Sequence, residues 1–159
     1  MTSADTTSIE MSSSGSGTTV AVVDMVLEEV TRNATPTSER IGSWVRSNKL
    51  AVLPTKVFEH YKKAVVEATP IRKSSLGELA IQETMSGFAL RHPPQTGVFL
   101  FEDHKIARAS FLLPDCCRKV STRAFLKFLE QEKLISSSVE IERRAIAAGR
   151  QFSQVRFPP

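Results

Sequence analysis

Apolar residues recur along much of this chain at helical intervals. Val20, Val23, Leu27 and Val30 step by three, four and three, with Val26 alongside, while Asp24, Glu28 and Arg32 mark another face. The spacing predicts a helix over about 20–33, although the β-branched residues from Thr19 to Val23 suit a strand equally well. Thr35 before Pro36 reads as a cap and first helical position. The short helix that follows, to Ser47, would bury Ile41, Trp44 and Val45. Pro54 opens a third helix with Val57, Phe58, Tyr61, Ala64, Val65 and Ala68 inward and Lys56, Lys62, Lys63 and Glu67 outward. Pro70 ends it.

Ser75 and Glu78 form a capping box for a fourth helix. Its apolar side is Leu76, Leu79, Ala80, Met85, Phe88 and Ala89, and it stops near His92-Pro93-Pro94. Two apolar runs around the polar tip Glu102–Lys105 predict a β-hairpin over about 97–113, with a helix over 98–113 as the rival. Ser121 caps a fifth helix to Leu134, with Phe125, Leu126, Phe128 and Leu129 inward. Ser137 and Glu140 form a second capping box. The last helix then carries Ile141, Ala145, Ala148, Phe152 and Val155 at steps of four, three, four and three, a seam about two heptads long. The expected fold class is mostly α: a compact bundle of five or six helices, one β-hairpin and an N-terminal tail.

Composition separates the tail from the body. Of the first 19 residues, 11 are Ser or Thr, too little apolar surface to offset the entropy of ordering. Residues 1–19 are therefore expected to be a disordered tail, and 20–159 a single helical domain. The tail has neither the basic nor the apolar region of a secretory signal, and no run of 18 apolar residues occurs. A cytoplasmic or nuclear address and no membrane contact follow as expectations. The net charge of +4 hides a partition: residues 1–34 hold one basic and five acidic side chains, net −4, whereas residues 35–159 hold 20 basic and 12 acidic, net +8.

Recognisable catalytic patterns are absent from the sequence. There is no phosphate-binding Gly-x-x-x-x-Gly-Lys loop, no Gly-x-Gly-x-x-Gly turn, no His-Glu-x-x-His and no Gly-x-Ser-x-Gly. His60, His92 and His104 share no metal-ligand spacing, so neither metal nor cofactor is expected. Cys116 and Cys117 are adjacent, a spacing that strains a mutual disulfide. They read as reduced thiols. A cysteine nucleophile served by one of the histidines, with Arg118 and Lys119 lowering its pKa, is the one enzyme chemistry the residues offer.

Two non-enzymatic readings carry more. The basic body places Lys62 and Lys63 on the third helix and Arg72 and Lys73 in a loop. Arg118, Lys119, Arg123 and Lys127 lie around the start of the fifth helix, and Arg143, Arg144, Arg150 and Arg156 on and after the last. Such side chains grip phosphates without reading sequence. The seam Ile141, Ala145, Ala148, Phe152 and Val155 points instead to a protein partner or to self-association.

Arg150-Gln151-Phe152-Ser153-Gln154-Val155 resembles a short stretch in the coat proteins of rod-shaped plant viruses. It covers 6 of 159 residues and lies at the C-terminus here, but in the first half of those helical-bundle proteins. The resemblance implies a viral, RNA-associated helical protein and carries over no residue roles. The expected function is an assembly or protein-interaction subunit. The alternative is a helical protein that binds RNA or DNA through phosphates, and a cysteine-dependent enzyme stands third.

Overall fold

The computed structural model describes residues 19–71, 75–101 and 112–149. In chain order the elements are β1 (Ala21–Val23), α1 (Asp24–Thr31), α2 (Pro36–Ser47), β2 (Ala51–Leu53), α3 (Lys56–Val66) and α4 (Leu76–Ala89). They continue with β3 (Gly97–Phe101), β4 (Cys117–Ser121), α5 (Thr122–Gln131) and α6 (Ser138–Ala147). Helix accounts for 55% of the described residues, so the fold is mostly α, with two small parallel strand pairs added. Residues 1–18 of the expected tail lie outside the described residues.

Both strand pairs correct the sequence reading. The helix expected over 20–33 starts only at Asp24, because Ala21, Val22 and Val23 pair in parallel with Ala51, Val52 and Leu53. The β-branched residues follow their strand preference once that distant partner is present. Gly97–Phe101 is a strand as expected, and its partner among the described residues is β4 rather than the second arm of a hairpin. It runs parallel to β4, in register from Gly97 opposite Cys117 to Phe101 opposite Ser121. The arm expected at 106–113 falls on residues of which only Leu112 and Leu113 are described, and neither is in a strand.

Helix starts follow local chemistry in three places, tertiary chemistry in one and both in another. Thr35, Ser121 and Ser137 cap α2, α5 and α6 as expected, their hydroxyls accepting from the backbone N–H of Ser38, Ala124 and Glu140 at 3.1, 3.3 and 3.2 Å. The capping box at Ser75 does not form. Ser75 sits at φ +68° and makes no side-chain cap. The N–H of Gly77 donates instead to the Glu29 carboxylate of α1, at 3.1 Å. At α3 the N–H groups of Lys56 and Val57 donate to the Glu83 carboxylate of α4, at 2.9 and 3.2 Å, and that of Phe58 to the Thr55 hydroxyl. The last helix ends at Ala147 rather than running to Val155. Gly149 at φ +81° is the left-handed residue that stops it.

The core lies around α4, which touches α1, α3, β1 and β4. Its adjacent residues Ala80 and Ile81 enter two different clusters. Ala80 packs with Met25 and Tyr61, and Ile81 with Met85, Phe101 and Cys117, while Val23 touches both clusters. Several residues expected inward are exposed, Val20, Val30, Ala68 and Leu79 among them. Trp44, Val65 and Phe128 are exposed too, because α2, α3 and α5 each bury a narrower stripe than their apolar content suggests. The α5–α6 pair is held by polar contacts: Arg123 makes a two-pronged ion pair with Glu142 at 2.9 and 2.7 Å, and the Ser138 hydroxyl donates to Glu130 at 2.6 Å. No helix among the described residues is long and apolar enough to cross a membrane.

Candidate functional site

The most concentrated buried polar cluster is a joint, not a site. Asp24 follows β1 directly and Thr55 follows β2 by two residues. The Asp24 carboxylate accepts from its neighbour Met25 N–H, from Thr55 N–H and from the Thr55 hydroxyl, each at 2.7 Å. Together with Glu83, this gives every N–H from Thr55 to Phe58 a protein acceptor. The positive end of α3 therefore offers no free donor to an anion.

The cysteines sit at the start of β4. Cys117 is buried against Met85, with its Sγ 3.7 Å from the Met85 carbonyl and 3.8 Å from Cys116 Sγ. Burial, followed by the contact with the Cys116 thiol, pushes the Cys117 pKa up, and Arg118 lowers it only weakly. A nucleophilic thiol needs the opposite shift. His60 and His92 are exposed, and His104 lies outside the described residues. Among the described residues no group of three His, Cys, Asp or Glu side chains gathers as a metal site.

The basic side chains are spread over several elements. On α3, Lys62 lies over the Phe58 ring at 4.9 Å and Lys63 faces Glu67 at 3.9 Å. Arg118 folds back onto the carbonyls of Asp115 and Cys117, and Lys119 is half-buried next to it in β4. Arg123 is bound to Glu142, and Arg143 and Arg144 both hold Glu140, each at 2.9 Å. Those two arginines lower the Glu140 pKa. Lys127 is exposed on α5. Arg72, Lys73, Arg150 and Arg156 lie outside the described residues.

Of the expected seam, Ile141 and Ala145 are half-buried on the side of α6 that carries Ser138 and Glu142, the residues bonded to α5. Ala148, the residue after α6, is exposed, and Phe152 and Val155 lie outside the described residues. Within α6, then, the two seam residues lie on the side bonded to α5, and Ala148 beyond it does not.

A different apolar surface is open. In the β3–β4 sheet, Gly97, Phe101, Cys117 and Ser121 are buried on one face. The opposite face presents Val98, Leu100, Arg118 and Val120. Val98 is 58% and Leu100 42% exposed, and Val120 is half-buried opposite Leu100. The sequence did hold a signal for this: Val98-Phe99-Leu100-Phe101 has no polar alternation, the pattern of a strand covered on both faces. Two grooves flank α2. One of about 600 Å³ lies between α1 and α2, with Leu27, Val45 and Val52 in its wall. A recess of about 190 Å³ is lined by Thr37, Arg40, Ile41 and Trp44.

No protein-family model, curated protein or solved structure matches this chain.

Proposed function

We propose that the chain is a non-enzymatic assembly subunit that associates through the open apolar face of its β3–β4 sheet. The observation that carries this reading is the exposure of Val98 and Leu100 on a parallel sheet. Parallel sheets are covered on both faces almost without exception, since each face is apolar. Here α4 covers one face through Met85 and Ile81, and a partner covers the other. A second copy is the simplest partner, because one apolar patch meets itself across a twofold axis. The raised thiol pKa of Cys117 further supports a non-catalytic role. Phosphate binding through α5 and α6 has less support, because Arg123, Arg143 and Arg144 already hold carboxylates.

Light scattering on the full chain over a range of concentrations tests the proposal. A defined oligomer is expected, and Val98→Glu with Leu100→Glu is expected to dissociate it while the circular dichroism spectrum stays native. A monomer at every concentration, or an oligomer indifferent to both substitutions, overturns it.

A further inference from the structure

Helix α2 presents a surface of different chemistry. Its inner side is anchored by the buried Ser38 and Val45 and by the Thr35 cap. On its outer side Thr37, Arg40, Ile41 and Trp44, at steps of three, one and three, line the open recess of about 190 Å³. Trp44 is the only tryptophan in the chain, and it is 56% exposed. Pockets that enclose a cofactor or drug-sized ligand start at about 300 Å³. This recess suits a single ring laid on the indole.

The segment that carries it is net basic. Glu39 is the sole acidic residue between positions 35 and 53, against Arg40, Arg46 and Lys49. Glu39 and Arg46 line the larger groove on the other side of α2. Arg40 lines the Trp44 recess itself and makes no ion pair among the described residues. A protein hot spot sits in a well-packed, desolvated pocket ringed by contacts that exclude water. The residues three or four positions from Trp44 along α2 and just past it are Arg40, Ile41, Ser47 and Asn48, of which only Ile41 is apolar. An exposed indole beside a guanidinium that has no ion pair among the described residues, on a basic helix, matches an aromatic, anionic ligand.

We propose that this face of α2 binds single-stranded nucleic acid. An unpaired base stacks on the Trp44 indole, and the Arg40 guanidinium takes a neighbouring phosphate. Stacking needs no particular base, so binding is sequence-tolerant. The phosphate contact makes it salt-dependent.

Because the chain has one tryptophan, its fluorescence reports on Trp44 alone. The test is titration of the full chain with a mixed-sequence single-stranded oligonucleotide of about 12 nucleotides, within the length range that such sites cover. It is run at about 50 and 200 mM salt, the range over which phosphate contacts weaken markedly. Saturable quenching that weakens with salt is expected. By fluorescence anisotropy of a labelled oligonucleotide, Trp44→Ala should lower affinity by roughly tenfold or more, whereas Trp44→Phe retains most of it. Arg40→Gln should reduce the salt slope by about one unit. Absence of quenching at low salt overturns the proposal. So does unchanged affinity in Trp44→Ala, or a duplex that quenches as well as the single strand. Emission that responds to protein concentration but not to oligonucleotide assigns Trp44 to a protein contact, and equally overturns it.

Discussion

The Asp24 carboxylate accepts both the backbone N–H and the hydroxyl of Thr55, each at 2.7 Å, across 31 residues of sequence. This contact ties the carboxyl end of β1 to the start of α3, just past β2. Both residues are buried, at 8% and 3% exposure, so neither group can turn to water if its partner is lost. Asp24→Ala strands the Thr55 N–H and hydroxyl together and should cost about 3 kcal/mol of folding stability. Thr55→Val keeps the Thr55 N–H bonded to Asp24 but removes the hydroxyl, and with it the acceptor of the Phe58 N–H, so its cost should be smaller, about 1–2 kcal/mol. Urea unfolding followed by circular dichroism ranks the two. A midpoint for Asp24→Ala equal to that of the parent chain would show that the joint contributes nothing.

Close backbone approach makes Gly97 the second sensitive point. A Cβ at this position would lie 2.6 Å from Met85 Sδ, 2.8 Å from Phe88 Cδ2 and 3.2 Å from Cys117 Sγ. Gly97→Ala therefore overpacks the contact between β3 and α4 and should destabilise by about 1–3 kcal/mol. Met85→Ala removes the nearest obstacle at the cost of a cavity, about 2–5 kcal/mol by itself. The double substitution should cost less than the two added together, because the new methyl enters the space that Met85 leaves. Strict additivity in a double-mutant cycle would mean that the two positions do not meet.

What the sequence made legible divides along the range of each interaction. Thr35, Ser121 and Ser137 cap their helices through residues three positions away, and that spacing can be read directly. The strand pairs could not be read this way. Ala21 meets Ala51 and Gly97 meets Cys117, and a three-residue strand has no period of its own to identify it. Ser75 failed as a cap for the same reason, since Glu29, 48 residues from Gly77, supplies the acceptor. Trp44 was expected inside because α2 has few apolar residues and periodicity places them on one side. The packing in fact needs only Val45 and Ser38 from that helix. The candidate surfaces were least legible of all. An exposed apolar residue and a buried one are identical in sequence until the neighbouring element is placed.

The α5–α6 pair sets a half-buried ion pair against an exposed one. Arg123 and Glu142 have side chains only 23% and 13% exposed and meet in two-pronged geometry. Glu142→Gln removes the charge from this two-pronged contact and should cost about 1–3 kcal/mol. Glu140 instead binds the exposed Arg143 and Arg144, which hold its pKa below the ordinary carboxylate value. A lowered carboxylate pKa stabilises the folded state above the unfolded value, about 4.3. That contribution is lost as pH falls through the lower folded value. An NMR titration should place the Glu140 midpoint below that of a free glutamate, and Arg143→Gln with Arg144→Gln should return it towards normal. A Glu140 midpoint that ignores both substitutions would mean that the two arginines do not hold it.

Cys117 allows burial and chemistry to be separated. Its thiol lies in the core against Met85 and Phe101, and burial is the largest cause of its raised pKa, ahead of the contact with Cys116. At neutral pH iodoacetamide should alkylate the half-buried Cys116 first. Cys117 should react far more slowly than a free thiol, recovering the ordinary rate only in denaturant. Cys116→Ser should leave Cys117 slow, since burial remains. The same raised pKa has a consequence for stability. The folded chain holds the thiol proton more tightly, so this contribution is fully present below the unfolded thiol pKa, roughly 8.5. It is lost as pH rises through the higher folded value. Cys117→Ala should therefore flatten the alkaline side of the stability profile. Mass spectrometry of the alkylated chain assigns each rate to its cysteine. Reaction of Cys117 at the free-thiol rate in the native chain would place it outside the core and reopen the nucleophile reading.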